Sequence, residues 1–305
     1  MYKKAVIVVI LVLIVVSLVG LVLVSSERRS ASGEGKIALI YVDGVIMGGR
    51  GQTSVFGETG GTDALMKELR EARDDESIRA VVLRINSPGG SAPASQEVGE
   101  EIKRLRQSGK PVVTSMGDVA ASGGYWLAAV TDKIYANPAT LTGSIGVYIP
   151  YTNWEELFKK IGVHSEKIKS GPYKDILSPD RSLTAEERAI IQTMVDDLYE
   201  QFITVVAEGR HLDKETVRKL ADGRIYTGNQ AKAAGLVDEL GNLYDALDAA
   251  RQLAGIHGKA SIKEFGRGNP WSTLFSSQLN WQQNLLRQVE GTFTPLAISP
   301  LRQVE

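Results

Sequence analysis

The chain has 305 residues, 43% of them hydrophobic and 23% charged, so its bulk is globular and long enough for a full core. A net charge of −1 argues against nucleic acid as a partner. With no cysteine there are no disulfides, thiolate metal sites or cysteine nucleophiles. His164, His211 and His257 lie far apart without metal-ligand spacing, so no metal or cofactor is expected.

Ala5 to Val24 carries no charge. Twenty residues at about 1.5 Å each span about 30 Å, the thickness of a bilayer core. Lys3 and Lys4 precede the run and favour a cytoplasmic N-terminus; Arg28 and Arg29 follow it and weaken that bias. A cleaved signal peptide is the rival reading, but its apolar core runs about 7–15 residues. The expectation is a cytoplasmic stub over 1–4, a transmembrane anchor over 5–24 and a polar linker over 25–35. The remainder then lies outside the cytoplasm.

Beyond the linker, Ile37 to Val42 reads as a strand. Gly48 to Gly61 is glycine-rich and reads as a loop. Thr62 to Asp74 places Leu65, Leu69 and Ala72 on one helical face. Ala80 to Ile85 is a second strand, Pro93 to Gln107 a helix, Pro111 to Met116 a third strand and Lys133 to Ala136 a fourth. This alternation predicts a parallel sheet covered by helices, with the active site at the carboxyl ends of its strands. Capping boxes are expected at Thr152–Glu155, Thr184–Glu187 and Thr227–Gln230. The helix opened by Thr184 runs to about Gly209, with Ile191, Met194, Val195, Leu198, Phe202 and Val205 as a core or subunit-interface stripe. A further helix covers 242–254. The folded domain is expected over 36–258. Residues 259–305 form a tail whose Trp271, Leu274, Phe275 and Trp281 suit either packing or a membrane surface.

Two loops after strands carry chemistry. Asn86-Ser87-Pro88-Gly89-Gly90-Ser91 offers exposed N–H groups ahead of a helix, a nest for a phosphate or for a tetrahedral oxyanion. It lacks the Lys-Ser/Thr ending of a P-loop. Asp118 to Trp126 places Ser122 among small residues at a strand-to-helix turn. There its hydroxyl either acts as a nucleophile, with the next N–H facing the same space, or simply packs. No histidine has the context of a triad base. A lysine can serve if its pKa falls from about 10.4 toward about 7–8. Lys174, in a Gly/Pro-structured loop, is one candidate among many lysines.

Asn86 to Gly90, Ala120 to Tyr125, Leu141 to Val147 and Lys169 to Asp175, in that order after an apolar N-terminus, resemble the signal peptide peptidase A family of membrane-anchored serine–lysine peptidases. Asp222 to Tyr226 and Ala234 to Asp238 resemble further family segments. The resemblance spans roughly Lys36 to Gly255 and fits the short form with one catalytic domain. It implies an α/β, ClpP/crotonase-like fold of stacked β-sheet turns with flanking helices. Ser122 is then the nucleophile, Lys174 the general base, and the backbone N–H groups of Gly90 and Gly123 the oxyanion donors. It also implies apolar peptide substrates such as cleaved signal peptides, and assembly into a homo-oligomeric ring, often octameric, whose dyad can draw on neighbouring subunits. The implied location is the bacterial cytoplasmic membrane. The rival functions are a crotonase-type acyl-CoA enzyme using the same oxyanion nest, and a membrane-anchored scaffold without catalysis.

Overall fold

A computed structural model describes residues 35–50, 52–54, 57–59 and 61–266; the expected anchor and the tail from 267 onward lie outside the described residues. The elements follow in chain order as β1 (Lys36–Asp43), β2 (Gln52–Ser54), β3 (Gly57–Thr59), α1 (Thr62–Asp74), β4 (Ile78–Ser87), α2 (Ala92–Gln107), β5 (Val112–Ala121) and α3 (Gly123–Ala129). Then come β6 (Lys133–Ala136), β7 (Leu141–Gly143), α4 (Glu155–Lys160), α5 (Ala185–Arg210), α6 (Lys214–Leu220), β8 (Ile225–Thr227), α7 (Gly228–Ala233), β9 (Glu239–Leu240), α8 (Leu243–Leu253) and β10 (Ser261–Glu264). Within the segment read as a loop, β2 and β3 pair as an antiparallel hairpin.

The main sheet runs β10-β1-β4-β5-β6-β9, parallel at every pairing. The expected parallel, helix-covered sheet is thus present. Strand alternation divides the core. Ile40, Leu83, Ile85 and Met116 point toward α1, α2, α3 and α5, where Leu69, Ile102, Leu105, Phe202 and Val206 meet them. Ile37, Leu39, Val82 and Val113 point the other way, onto Ala246, Leu247 and Ala250 of α8. Each fully buried Leu or Ile contributes roughly 1.5–3 kcal/mol. β10 extends the folded unit to Phe265, whose N–H donates to the Leu39 carbonyl at 2.9 Å.

β5 changes partner part-way along. Val113–Ser115 pair with β6, while Val119–Ala121 pair with β7, and the register against β4 shifts between Ile85 and Ser87. Gly117 sits at the change, where a Cβ would come within 3.0 Å of the Asn86 side chain. The far half of β5 therefore leaves the main sheet beside β7, which pairs antiparallel with β8.

The capping boxes at Thr184 and Thr227 form reciprocally. The one expected at Thr152 does not: α4 starts at Glu155 with Trp154 as its N-cap and no side-chain cap. Glu155 instead turns its carboxylate to the N–H and hydroxyl of Ser182, at 3.0 and 2.8 Å. Asn153 Oδ1 accepts the Glu155 N–H at 2.8 Å. The apolar stripe of α5 divides too. Of its six residues Phe202 is buried, Ile191, Val195, Leu198 and Val205 are half-buried and Met194 is exposed, as are Trp154, Leu157 and Ile161 around α4; Ile203 and Val206 are buried beside Phe202.

Candidate active site

Ser122 stands between the last residue of β5 and the first of α3, with φ 51° and ψ −121°. For a residue with a Cβ this backbone is strained, at a cost of order 1–3 kcal/mol. Its surroundings hold it there: the Ser122 N–H donates to the Gly143 carbonyl at 2.8 Å, and the Ser122 carbonyl accepts from Trp126 N–H at 2.9 Å. Every residue of α3 is buried, and the Tyr125 hydroxyl donates to the Leu236 carbonyl at 2.8 Å, so the helix behind the serine is fixed. Thr142, fully buried, donates its hydroxyl to the Ala120 carbonyl at 2.6 Å. The Ser122 side chain is half-buried.

The loop after β4 meets this turn. A Cβ on Gly89, whose φ is +102°, would lie 2.7 Å from both Ser122 Cβ and the Gly123 nitrogen. A Cβ on Gly90 would lie 2.1 Å from the Ile46 carbonyl oxygen, and one on Gly123 would lie 3.3 Å from the Gly90 nitrogen. Only glycine permits this approach of two backbones. Gly90 is clamped between two hydrogen bonds, Ile46 N–H to Gly89 O at 2.9 Å and Ser91 N–H to Ile46 O at 2.8 Å. Neither Gly90 N–H nor Gly123 N–H has a backbone acceptor among the described residues; the latter opens α3, where a first-turn N–H has no intrahelical partner. Of the two anions the loop could hold, an oxyanion on an atom bonded to Ser122 Oγ fits this contact between the loop and the serine.

Ser122, Gly90 and Gly123 border a cleft of about 300 Å³. Its walls are largely apolar, with Trp126, Val147, Tyr148, Ile149, Leu198 and Phe202. Trp126 and Phe202 pack with ring centroids 5.0 Å apart.

The Lys174 side chain is exposed, it is not among the cleft-lining residues, and it forms no ion pair with another described residue. Its loop is nonetheless tightly held. The Tyr173 hydroxyl donates to Glu186, a bond that pushes the phenol pKa up. Arg181 hydrogen bonds hold the Asp175 carboxyl well below the usual carboxylate range. The structure thus brings Ser122, Gly90 and Gly123 together within one chain, in a cleft lining that does not include Lys174.

Three hydroxyls that sequence reasoning passed over shape the site. Ser87 Oγ accepts from Gly89 N–H at 3.1 Å. Ser95 Oγ donates to Ser91 O at 2.9 Å and lies 2.4 Å from where a Cβ on Gly123 would be. Thr142 is the third. Their only sequence signal is position: Ser87 and Ser95 flank the Gly89–Gly90 pair within five residues, and Thr142 is on the strand beside the serine.

The profile of Peptidase family S49 matches residues 104–257. A putative protease, slr0021, of Synechocystis is 45% identical over 221 residues, covering 72% of this chain and 75% of that protein. The putative signal peptide peptidase SppA of Enterococcus faecium is 40% identical over 218 residues, 71% of this chain and 63% of its own length. Protease 4 of Salmonella typhi is 42% identical over 229 residues, which are 75% of this chain but 36% of that protein. The chain therefore spans about a third of the length of one relative and roughly two thirds to three quarters of the others. With the family profile matched across half of the chain and the Synechocystis protein matched over three quarters of its length, the chain belongs to peptidase family S49.

Proposed function

We propose that the protein is a membrane-anchored serine endopeptidase that works through Ser122 and Lys174. The observation that carries this reading is the meeting of a strained Ser122 with the Gly89–Gly90 loop at the mouth of an apolar cleft. Neutral Lys174 takes the proton of Ser122 Oγ as the oxygen attacks a peptide carbonyl. The N–H groups of Gly90 and Gly123 receive the oxyanion, and each such donor is worth about 2.7–4 kcal/mol of barrier. The lysine ammonium then protonates the leaving amine. Water, deprotonated by the same lysine, releases the acyl group from Ser122.

The substrates are apolar peptides, cleaved signal peptides first among them and small or unfolded polypeptides beyond. The apolar walls of the cleft and the name carried by the Enterococcus relative support that choice. The fold is of the ClpP/crotonase type. Residues 5–24 anchor the chain in the bacterial cytoplasmic membrane, with the catalytic domain over 36–258 outside the cytoplasm. The working form is a ring of copies, an octamer, in which Lys174 of one copy serves Ser122 of the next. Support for the ring comes from the absence of Lys174 among the residues lining the cleft, and from the exposed apolar residues of α4 and the first half of α5.

The test uses the full-length protein in detergent micelles, a fluorophosphonate serine probe and a fluorogenic apolar peptide amide. Wild type, Ser122→Ala and Lys174→Ala are compared in one oligomeric state. Probe labelling lost in Ser122→Ala and turnover lost in both variants is the expected result. Turnover retained by Ser122→Ala overturns the mechanism.

A further inference from the structure

Asp175 follows Lys174 directly in the chain, yet its carboxylate is occupied by two other cations. Arg181 donates Nε to Oδ2 at 2.8 Å and Nη2 to Oδ1 at 2.9 Å. Lys169 Nζ donates to Oδ1 at 2.6 Å and also to the Pro172 carbonyl at 3.1 Å. Asp175 is 10% exposed, so few of its acceptor sites face water. Arg181 reaches further: its Nη1 donates to Glu187 at 2.8 Å and Nη2 bonds the other oxygen of the same carboxylate. Glu187 closes the capping box of α5, accepting the Thr184 N–H at 2.9 Å. One guanidinium thus ties the residue beside Lys174 to the start of a 26-residue helix.

The other charges on this loop and on the elements beside it are arranged likewise. Lys167 pairs with Asp180. Glu186 of α5 accepts from Tyr173. Glu155 of α4 takes Ser182 and Lys159. Glu166 makes no ion pair with Lys174. Each carboxylate in the network has a donor other than Lys174, whose ammonium carries none among the described residues.

This matters because a lysine base works only when neutral, and a carboxylate a few ångströms away stabilises its charged form. The nearest carboxylate in sequence is neutralised by a bidentate arginine, the geometry in which guanidinium binds most firmly. Arginine also stays charged throughout the range in which a lysine titrates. The arrangement is therefore constant across the working pH.

We propose that Arg181 is a positioning residue for catalysis: it keeps the Asp175 carboxylate off Lys174, so that the lysine can give up its proton. The proposal rests on the reading of Lys174 as the general base.

The test is the pH dependence of kcat/KM from pH 5 to 10 for the full-length protein in detergent micelles, with a fluorogenic apolar peptide amide. Arg181→Gln releases Asp175 toward Lys174, and the acid limb moves to higher pH by about one unit. Asp175→Asn removes the carboxylate but leaves Lys169 and Arg181 charged, and the limb moves to lower pH. Both variants break the Arg181–Asp175 pair, so a purely structural role of that pair would lower both rates and leave both limbs in place. Opposite displacements support the proposal; unmoved limbs, or limbs moved the same way, overturn it. If Arg181→Gln does not assemble, Arg181→Lys keeps the charge but loses the bidentate grip on Asp175; it should move the limb upward, and an unmoved limb there overturns the proposal equally. Lys174→Ala separates the two claims. Full activity in that variant defeats the general-base reading itself, whereas an inactive Lys174→Ala beside unmoved limbs defeats only the role of Arg181.

Discussion

The N–H of Ser122 donates to the carbonyl of Gly143 at 2.8 Å, so the turn bearing the hydroxyl is fastened to β7 as well as to α3. Both backbone groups of Ser122 are engaged, and its strained φ of 51° is imposed from two sides. The strain belongs to the fold, and a residue without a Cβ should relieve it.

Ser122→Gly is expected to be inactive and more stable than wild type. Removing a strained Cβ recovers part of about 1–3 kcal/mol, and the extra chain entropy of glycine offsets roughly 0.5–1 kcal/mol of it. A net gain of about 1 kcal/mol should raise the unfolding temperature by a few degrees for a domain of this size. Thermal unfolding of Ser122→Gly beside Ser122→Ala checks it, since alanine keeps the Cβ and gains nothing. Equal unfolding temperatures would show that the turn stores no strain.

Gly89→Ala should damage the site even though its own side chain does no chemistry. The added Cβ meets Gly123 N and Ser122 Cβ at 2.7 Å and the Ala121 carbonyl oxygen at 2.9 Å. The φ of +102° adds a conformational penalty of about 1–2 kcal/mol. Since the loop must shift away from Ser122, kcat/KM is expected to fall by about 10²–10³, the cost of losing one oxyanion donor. Binding of an apolar peptide to the Ser122→Ala form, measured with and without Gly89→Ala, should change far less. A Gly89→Ala enzyme with wild-type turnover would contradict the assignment of this loop.

The readable parts of the molecule are those whose cause is local. Ile37–Val42 and Ala80–Ile85 are continuous apolar runs because both faces of a parallel sheet are buried. Ser122 among small residues signals a turn where two backbones meet, and the glycines of the 86–91 loop signal its counterpart. What depends on distant partners was hidden. Thr152 and Glu155 have the spacing of a capping box, but Ser182, 27 residues on, takes the carboxylate. Pro111–Met116 looked like a strand ending at Met116. It runs on to Ala121 because β7, from a later part of the chain, supplies a new partner. Ile191, Met194 and Phe202 share one period, yet only Phe202 of the three is buried.

Acid should loosen the start of α5 through Glu187. Hydrogen bonds from Arg181, and then from the Thr184 N–H, pull this carboxyl down to about 2 from its ordinary 4.5. A group whose folded pKa is depressed contributes stability above its unfolded value and loses it as pH falls through the folded one. The contribution is therefore complete above about pH 4.5 and gone near pH 2. Between these limits the unfolding temperature of wild type should fall more steeply than that of Glu187→Gln, which has no carboxylate to protonate. Parallel curves would mean that the Arg181–Glu187 pair adds nothing to folding.

The absence of Lys174 from the residues that line the Ser122 cleft leads to a prediction about mixtures. If each working site takes its serine from one copy and its lysine from the neighbour in a ring, Ser122→Ala and Lys174→Ala copies should rescue one another. A site in a mixed ring works when a Lys174→Ala copy supplies the serine and a Ser122→Ala copy supplies the lysine. At equal proportions and random order, about a quarter of the sites meet that condition, given one type of head-to-tail interface. Co-assembly from a denatured or dissociated mixture should recover about that fraction of wild-type turnover, while each variant alone stays inactive. Turnover should follow the product of the two fractions and peak at a one-to-one ratio. A dyad closed within one chain gives no recovery at any ratio, because every copy then lacks one of its two groups. Fluorophosphonate labelling reports on the same assembly independently. It should appear only on Lys174→Ala copies, and only when Ser122→Ala copies are present to activate them.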